Sequence, residues 1–309
     1  MMNSSAVLLL AYGGPNSLHD VPAFLCEVRG GQPVSQVVID ETMRRYRLIG
    51  GRSPLLDITR CLASKLQNEI GSPVYVGMRH WHPFIGDTVH AMARDGISHA
   101  VAICLAPHYS ALSIGAYHAK LNEARSACHC EDADEAIPVF DFIESWHTQP
   151  QYIAGIAQNV CATLAQFGAD AKIIFTAHSL PVSARNPYEA QLRETARLIA
   201  QHLGLSDDRW MLCYQSAPRG SVAWLSPQVG RIVPQLAHAG EKNLVIAPIG
   251  FVADHLEVLY DIDIALQEIA RANGVRLVRT PMLNDSDALV RALAELVRER
   301  NAQHVIRGA

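Results

Sequence analysis

Short apolar runs rich in Val, Ile and Leu, each followed by a longer stretch of helical spacing, alternate along all 309 residues of this chain. This alternation limits the fold more than any other feature. Uninterrupted runs of this length suit strands buried on both faces, and strands that alternate with helices cross over to lie parallel. The runs predict strands at 7–12, 74–78, 101–105 and 139–143 in the first half, and at 172–176, 210–214, 244–247 and 276–279 in the second. Four and four point to a duplicated open α/β unit, although the halves share little sequence.

Composition narrows the function classes. With 49% hydrophobic and 18% charged residues, the chain can bury a large core and divide into two domains. A net charge of −4 supplies no basic field, so no nucleic-acid partner is expected. No apolar run is long enough to span a bilayer, and Ala6 to Leu10 is too short for a signal-peptide core, so an integral membrane protein is not expected and the expected location is cytoplasmic. The seven cysteines lack framework spacing and are read as reduced thiols. Cys128, His129 and Cys130 cluster beside Glu131, Asp132, Asp134 and Glu135, but a tight thiophilic site wants four ligands, so the cluster is read as an ordinary loop.

In open parallel sheets the ligand lies off the carboxyl ends of the strands. Polar residues fall there in this chain: Tyr12 after the first run, Arg79, His80 and His82 after the second, and His108, Tyr109 and Ser110 after the third. In the second half His178 with Ser179, Gln215 with Ser216, and the Glu257 segment take the same place. This convergence suits a binding cleft between two domains. Neither G-x-G-x-x-G after a strand nor G-x-x-x-x-G-K-[ST] is present, which removes the common nucleotide cradles.

Three local features allow both a plain and a functional reading. Arg29, Arg44, Arg45, Tyr46, Arg47 and Arg52 are either the solvated face of a helix over 35–48 or a set of forks for carboxylates. His178 comes directly off a strand run, where its proton affinity can be tuned towards neutrality. After the 244–247 run, Leu256, Leu259, Ile262, Leu266 and Ile269 recur at helical spacing, with Glu257 and Asp261 one turn apart and Glu268 beyond. Such like charges tend to raise the proton affinity of one member. Alternatively, Asp254 with Glu257 is a capping box that merely starts the helix.

Taken together, LLLAYGGP at 8–15, YRLIGGRSPL at 46–55, GMRHWHPFI at 77–85, LAPHYSALSIGAY at 105–117, FTAHSLP at 175–181, NPYEAQL at 186–192, YQSAPRGSVAWLSP at 214–227 and PIGFVADHLEVLYDID at 248–263 resemble the ferrochelatase family, in family order and across nearly the whole chain. The resemblance implies two Rossmann-like, chelatase-type domains without nucleotide, each a four-stranded parallel sheet flanked by helices, enclosing a porphyrin cleft. The division it implies is 1–143 plus 285–309, with a returning C-terminal helix, and 144–284, carrying His178 and Glu257. It implies insertion of Fe²⁺ into a porphyrin in haem synthesis, with His178 and Glu257 as the catalytic pair facing each other across the macrocycle centre. His178, Glu257, Tyr12 and Asp261 would contact the metal, with Tyr12 on the opposite face.

Likeness to the short soluble bacterial branch implies coproporphyrin III as substrate, contacted by Arg29, Arg45, Tyr46, Ser53, His80, Tyr117 and Trp224, and coprohaem as product. Protoporphyrin IX is the alternative substrate, a cobalt or nickel chelatase the rival enzyme, and a non-catalytic porphyrin or haem carrier the rival of another class. Ala265 stands where relatives carry a further acid, and the chain has no C-terminal cysteine tail. No organic cofactor and no [2Fe-2S] cluster are expected, iron being the substrate. The expected state is a monomer in transient contact with neighbouring haem-pathway enzymes.

Overall fold

The structure, a computed structural model, describes residues 5–128, 137–167, 171–218 and 220–308. The Cys128–Cys130 cluster and the acids after it lie outside the described residues, apart from the backbone of Cys128 at a helix end. The described residues divide into two compact units: one drawn from Met1–Ala106, Ala111–Ser145 and Asn284–Ala309, the other from Pro107–Ser110 and Trp146–Leu283.

In the first unit, strands β1 (Ser5–Ala11), β2 (Val74–Met78), β3 (His99–Cys104) and β4 (Val139–Ile143) form one sheet in the order β2-β1-β3-β4. All three pairings are parallel, as the crossover pattern requires. Leu8, Leu9 and Leu10 of β1 and Ala100 to Ile103 of β3 have no exposed surface, which is why these runs carry no polar alternation. Helices α1 (Val21–Val28), α2 (Gln36–Leu48), α3 (Leu55–Ile70), α4 (Ile85–Arg94) and α5 (Ile114–Cys128) connect and flank them. Helix α3 ends at Gly71, whose φ of +69° lets the backbone N–H reach the Gln67 carbonyl.

In the second unit, β5 (Lys172–His178), β6 (Trp210–Gln215), β7 (Asn243–Pro248) and β8 (Arg276–Arg279) form a sheet in the order β6-β5-β7-β8, again all parallel. In each sheet the order is second, first, third, fourth, so the duplication read from the strand pattern holds at the level of topology. Helices α6 (Pro150–Leu164), α7 (Tyr188–His202), α8 (Val229–His238) and α9 (Gln267–Ala272) belong to this unit. The last helix, α10 (Asp287–Gly308), belongs to the first unit and is tied to α3 by Lys65 to Asp285 at 2.7 Å and Arg298 to Glu69 at 2.8 Å.

Two expectations change. Strand β5 continues through His178, so the imidazole is carried by the last residue of an inner strand and not by the loop after it. The segment after β7 forms a π-helix over Glu257–Leu266 before α9, where an α-helix was expected. Its i→i+5 bonds widen the turn, so the buried residues recur every four positions as Val258, Ile262, Leu266 and Ala270. The predicted stripe through Leu256, Leu259 and Ile269 is only partly buried. Among the described residues no helix is long and apolar enough to cross a membrane.

Candidate active site

Strand β5 delivers His178 and the π-helix delivers Glu257, and the two meet although 79 positions separate them in the chain. The His178 Nδ1–H donates to the Glu257 carboxylate at 2.8 Å, and each side chain keeps about a third of its surface open (34% and 32%). They touch directly; they do not face each other across the width of a macrocycle, as the family resemblance suggested. Burial pulls the imidazole proton affinity down, but the Glu257 charge, its hydrogen bond and the nearby Asp261 charge outweigh this, so the His178 pKa is raised. Burial pushes Glu257 up, yet the His178 cation and hydrogen bond, with His255 and the Ser216 hydroxyl, hold it below the usual carboxylate range. Like-charge spacing predicted a rise for one acid of the row; the histidine contact reverses the sign for Glu257.

Glu257 and Asp261 stand one above the other, because a π-helical turn takes up more than four residues. The Ser216 hydroxyl donates to Asp261 at 2.5 Å, and the Gln215 side-chain amide donates to the Glu257 backbone carbonyl at 3.4 Å. The capping-box reading fails: Leu256 is the N-cap and makes no side-chain cap. Asp254 turns instead to Arg279, at 3.3 Å. Arg279 also holds Asp263 through two bonds of 2.6 and 2.8 Å, so one guanidinium grips the chain on both sides of Glu257 and Asp261. Sequence reasoning missed Arg279 and placed Ser216 among the polar strand-end residues of a cleft without a role of its own. The position of Arg279 at the end of the last strand run was the one available signal.

In the first unit, Tyr12 follows β1 and is 44% exposed, with its ring 4.6 Å from that of His80. Backbone bonds from Arg79 to Ala11 and from His80 to Tyr12, both 2.9 Å, lock the two loops together. Burial, with Arg79 and Lys120 nearby, brings the His80 pKa down to about 4, so this imidazole is neutral at pH 7. The Arg79 guanidinium lies over the Tyr117 ring at 5.5 Å, and burial drives the Tyr117 phenol well above its usual range. Ser53 is buried against Gly14, where any Cβ would fall 2.6 Å from Ser53 Oγ and 3.6 Å from the buried Tyr46 hydroxyl. Tyr46 and Tyr117 show only 3% and 5% of their surface, little for a substrate to meet.

The structure groups Tyr12 with His80, and Tyr46 with Ser53. Arg29 closes α1 and is exposed, while Arg45 and Arg44 both pair with Glu41 at 2.8 Å. Their guanidinium groups, with burial opposing, bring the Glu41 pKa down to about 2. Arg52 pairs with Asp57. Trp224 is in the second unit, bridged to Pro181 beyond the His178 turn. Among the described residues no three or more His, Cys, Asp or Glu side chains are already gathered as a ready-made metal site.

A strand-end imidazole bonded to a carboxylate, on a duplicated parallel α/β frame, narrows the fold family without naming it. The family model for ferrochelatase matches residues 4–301. The chain belongs to the ferrochelatase family. The ferrochelatase of Deinococcus radiodurans is 41% identical over 96% of both chains. That of Herpetosiphon aurantiacus is 38% identical over 96% of this chain and 99% of its own. A Geobacillus thermodenitrificans relative named coproporphyrin III ferrochelatase is 36% identical over 96% of both chains. The solved sirohydrochlorin chelatase SirB from Bacillus subtilis, in complex with cobalt, covers 96% of this chain with a TM-score of 0.61 at 10% identity, a likeness of fold alone. Ferrochelatases act in haem biosynthesis, and for this family Fe²⁺ is substrate.

Proposed function

We propose that the chain inserts Fe²⁺ into coproporphyrin III to give coprohaem, with His178 and Glu257 as the catalytic pair. The observation that carries this is the 2.8 Å bond between them. A carboxylate can only accept, so the bonded Nδ1 holds a proton, and in the neutral ring, which forms as pH rises through the raised pKa, Nε2 keeps its lone pair. Metal insertion must remove two pyrrole protons; Nε2 accepts one at a time, and each passes on to water or the Glu257 and Asp261 carboxylates before the next is taken. Glu257 stabilises the imidazolium that forms and keeps the ring in one orientation. Iron passing through a chelatase must be held loosely, and a few oxygen and imidazole donors do that. His178, Glu257, Asp261 and Tyr12 are assigned to this role, and Arg29, Arg45, Tyr46, Ser53, His80, Tyr117 and Trp224 to the porphyrin.

Coproporphyrin III carries four propionates where protoporphyrin IX carries two, and planar guanidinium forks bind carboxylates in pairs. The arginine-rich segment of α2 and the relatives named for coproporphyrin III support the first substrate. Glu41, which already occupies Arg44 and Arg45, favours the second. A stopped assay with coproporphyrin III, protoporphyrin IX and sirohydrochlorin against Fe²⁺, Co²⁺ and Zn²⁺ separates these readings and that of a carrier. His178→Ala and Glu257→Ala should each cost about a hundredfold or more in kcat. Turnover within about tenfold of the parent in either variant would end the acid–base assignment.

A further inference from the structure

We infer that Ser216 is a positioning residue for Asp261 and, with Gln215, for the neighbouring Glu257 on the π-helix, held in a left-handed backbone conformation so that its hydroxyl reaches Asp261. The inference rests on the reading of Glu257 given above and adds a second point of control to it. Ser216 has φ +63°, and among the described non-glycine residues only Asn284 shares that sign. Asparagine visits this region readily, whereas serine does so at a cost, and such a conformation lasts only where its surroundings enforce it.

The Gln215 carbonyl accepts from the Ser179 N–H at 2.9 Å, and the side-chain contacts at this bend lead to the π-helix. The hydroxyl donates to Asp261 at 2.5 Å. The preceding residue, Gln215, closes β6 and donates to the backbone carbonyl of Glu257. In a continuing strand, successive side chains point to opposite faces, so an extended Ser216 would turn its hydroxyl away from the face that Gln215 serves. The left-handed bend brings both side chains to one helix. The hydroxyl then holds Asp261 in place one turn from Glu257, while the Gln215 amide holds the Glu257 backbone.

Nothing in the fold itself calls for serine there. A residue kept only for stability would be improved by glycine, which adopts positive φ without strain. Three variants separate the roles. Ser216→Gly removes both strain and hydroxyl, Ser216→Ala removes the hydroxyl and keeps the strain, and Ser216→Thr keeps the hydroxyl. Each would be compared with the parent full chain for thermal midpoint, kcat and porphyrin KM over a pH series.

The glycine variant should melt no lower than the parent while its kcat falls about tenfold or more, with KM within about twofold, because displaced catalytic groups lose rate before binding. The alanine variant should lose rate similarly, with an altered pH profile, and threonine should recover most of the rate in the folded protein while melting lower, because a β-branched residue is strained at positive φ. Retention of kcat within about twofold by both glycine and alanine would overturn the inference, as would parallel loss of stability and rate in glycine with no recovery in threonine. Glu257→Ala serves as the control. If it is inactive while the Ser216 variants are normal, only this inference falls; if it stays active, the pair and the inference fall together.

Discussion

Replacing Gly250 by alanine tests how closely the frame controls the His178–Glu257 geometry. Gly250 follows β7, and its N–H donates to the Thr176 carbonyl of β5 at 3.1 Å. A Cβ there would stand 2.6 Å from Ala177 Cβ, 2.8 Å from Ala177 Cα and 3.6 Å from the His178 backbone nitrogen. Carbon atoms pack at about 3.5–4.0 Å, so roughly 1 Å of space must be created. Ala177 is wholly buried on an inner strand and has no side-chain torsion that could yield, so the backbone of β5 must move.

Overpacking of this kind costs about 1–3 kcal/mol. The displaced residue is the immediate neighbour of His178, and adding about 1 Å to its 2.8 Å bond takes the contact past the hydrogen-bond limit. Urea unfolding should show the stability loss without a change in slope. The iron-insertion assay should show a fall in kcat of about a hundredfold, the usual effect of a 1 Å misplacement. The His178 pKa, followed by NMR, should drop from its raised value as Glu257 is lost. Ala177→Gly in the same chain removes the closest clash and should restore part of the stability, a coupling a double-mutant cycle reads directly. A single Gly250→Ala variant within about 0.5 kcal/mol and twofold of the parent would show that the turn absorbs the methyl group, and the argument would fail.

The pair also predicts a pH dependence of stability. His178 has its pKa raised from 6.5 by the fold, so its contribution is complete below 6.5 and is lost as pH rises through the raised value. Glu257 is lowered from 4.5, so its contribution is present above 4.5 and is lost as pH falls through the lowered value. Unfolding free energies of the parent and Glu257→Gln should therefore differ most between about pH 5 and 6.5 and converge in mildly alkaline buffer. A gap that widens with pH would contradict this. Arg279→Gln leaves Asp254 and Asp263 facing a common space without their cation. It should lower stability by about 1–3 kcal/mol, reduced from the fully buried case by the partial exposure of both acids. Arg279→Lys should recover little in thermal unfolding, because an ammonium cannot reproduce the two-pronged bond to Asp263.

Much of the frame was readable from residues alone because its signals are local. The bounds 74–78, 139–143 and 276–279 are those of β2, β4 and β8, each a short stretch holding Val with other apolar residues. The pairing of Glu41 with Arg44 and Arg45 was equally open to reading, since three- and four-residue spacings on α2 bring them together. His178 and Glu257 stood out through the motifs around them. Their contact did not, because it requires β5 and the segment after β7 to be neighbours, and sheet order is a property of the whole chain.

The π-helix was hidden for the same reason. Its residues carry ordinary helical spacing, and the contacts associated with its wider turn come from Ser216 beyond β6 and Arg279 on β8. Asp254 shows the limit most clearly. Its spacing to Glu257 fits a cap, but a partner 25 positions away in the chain takes its carboxylate instead. Alternation, periodicity and motif order are written along the backbone, and they determined the fold class and the family. Which side chains meet, and therefore how Glu257 is held and protonated, depends on charges and hydroxyls brought together only when the strands have taken their places.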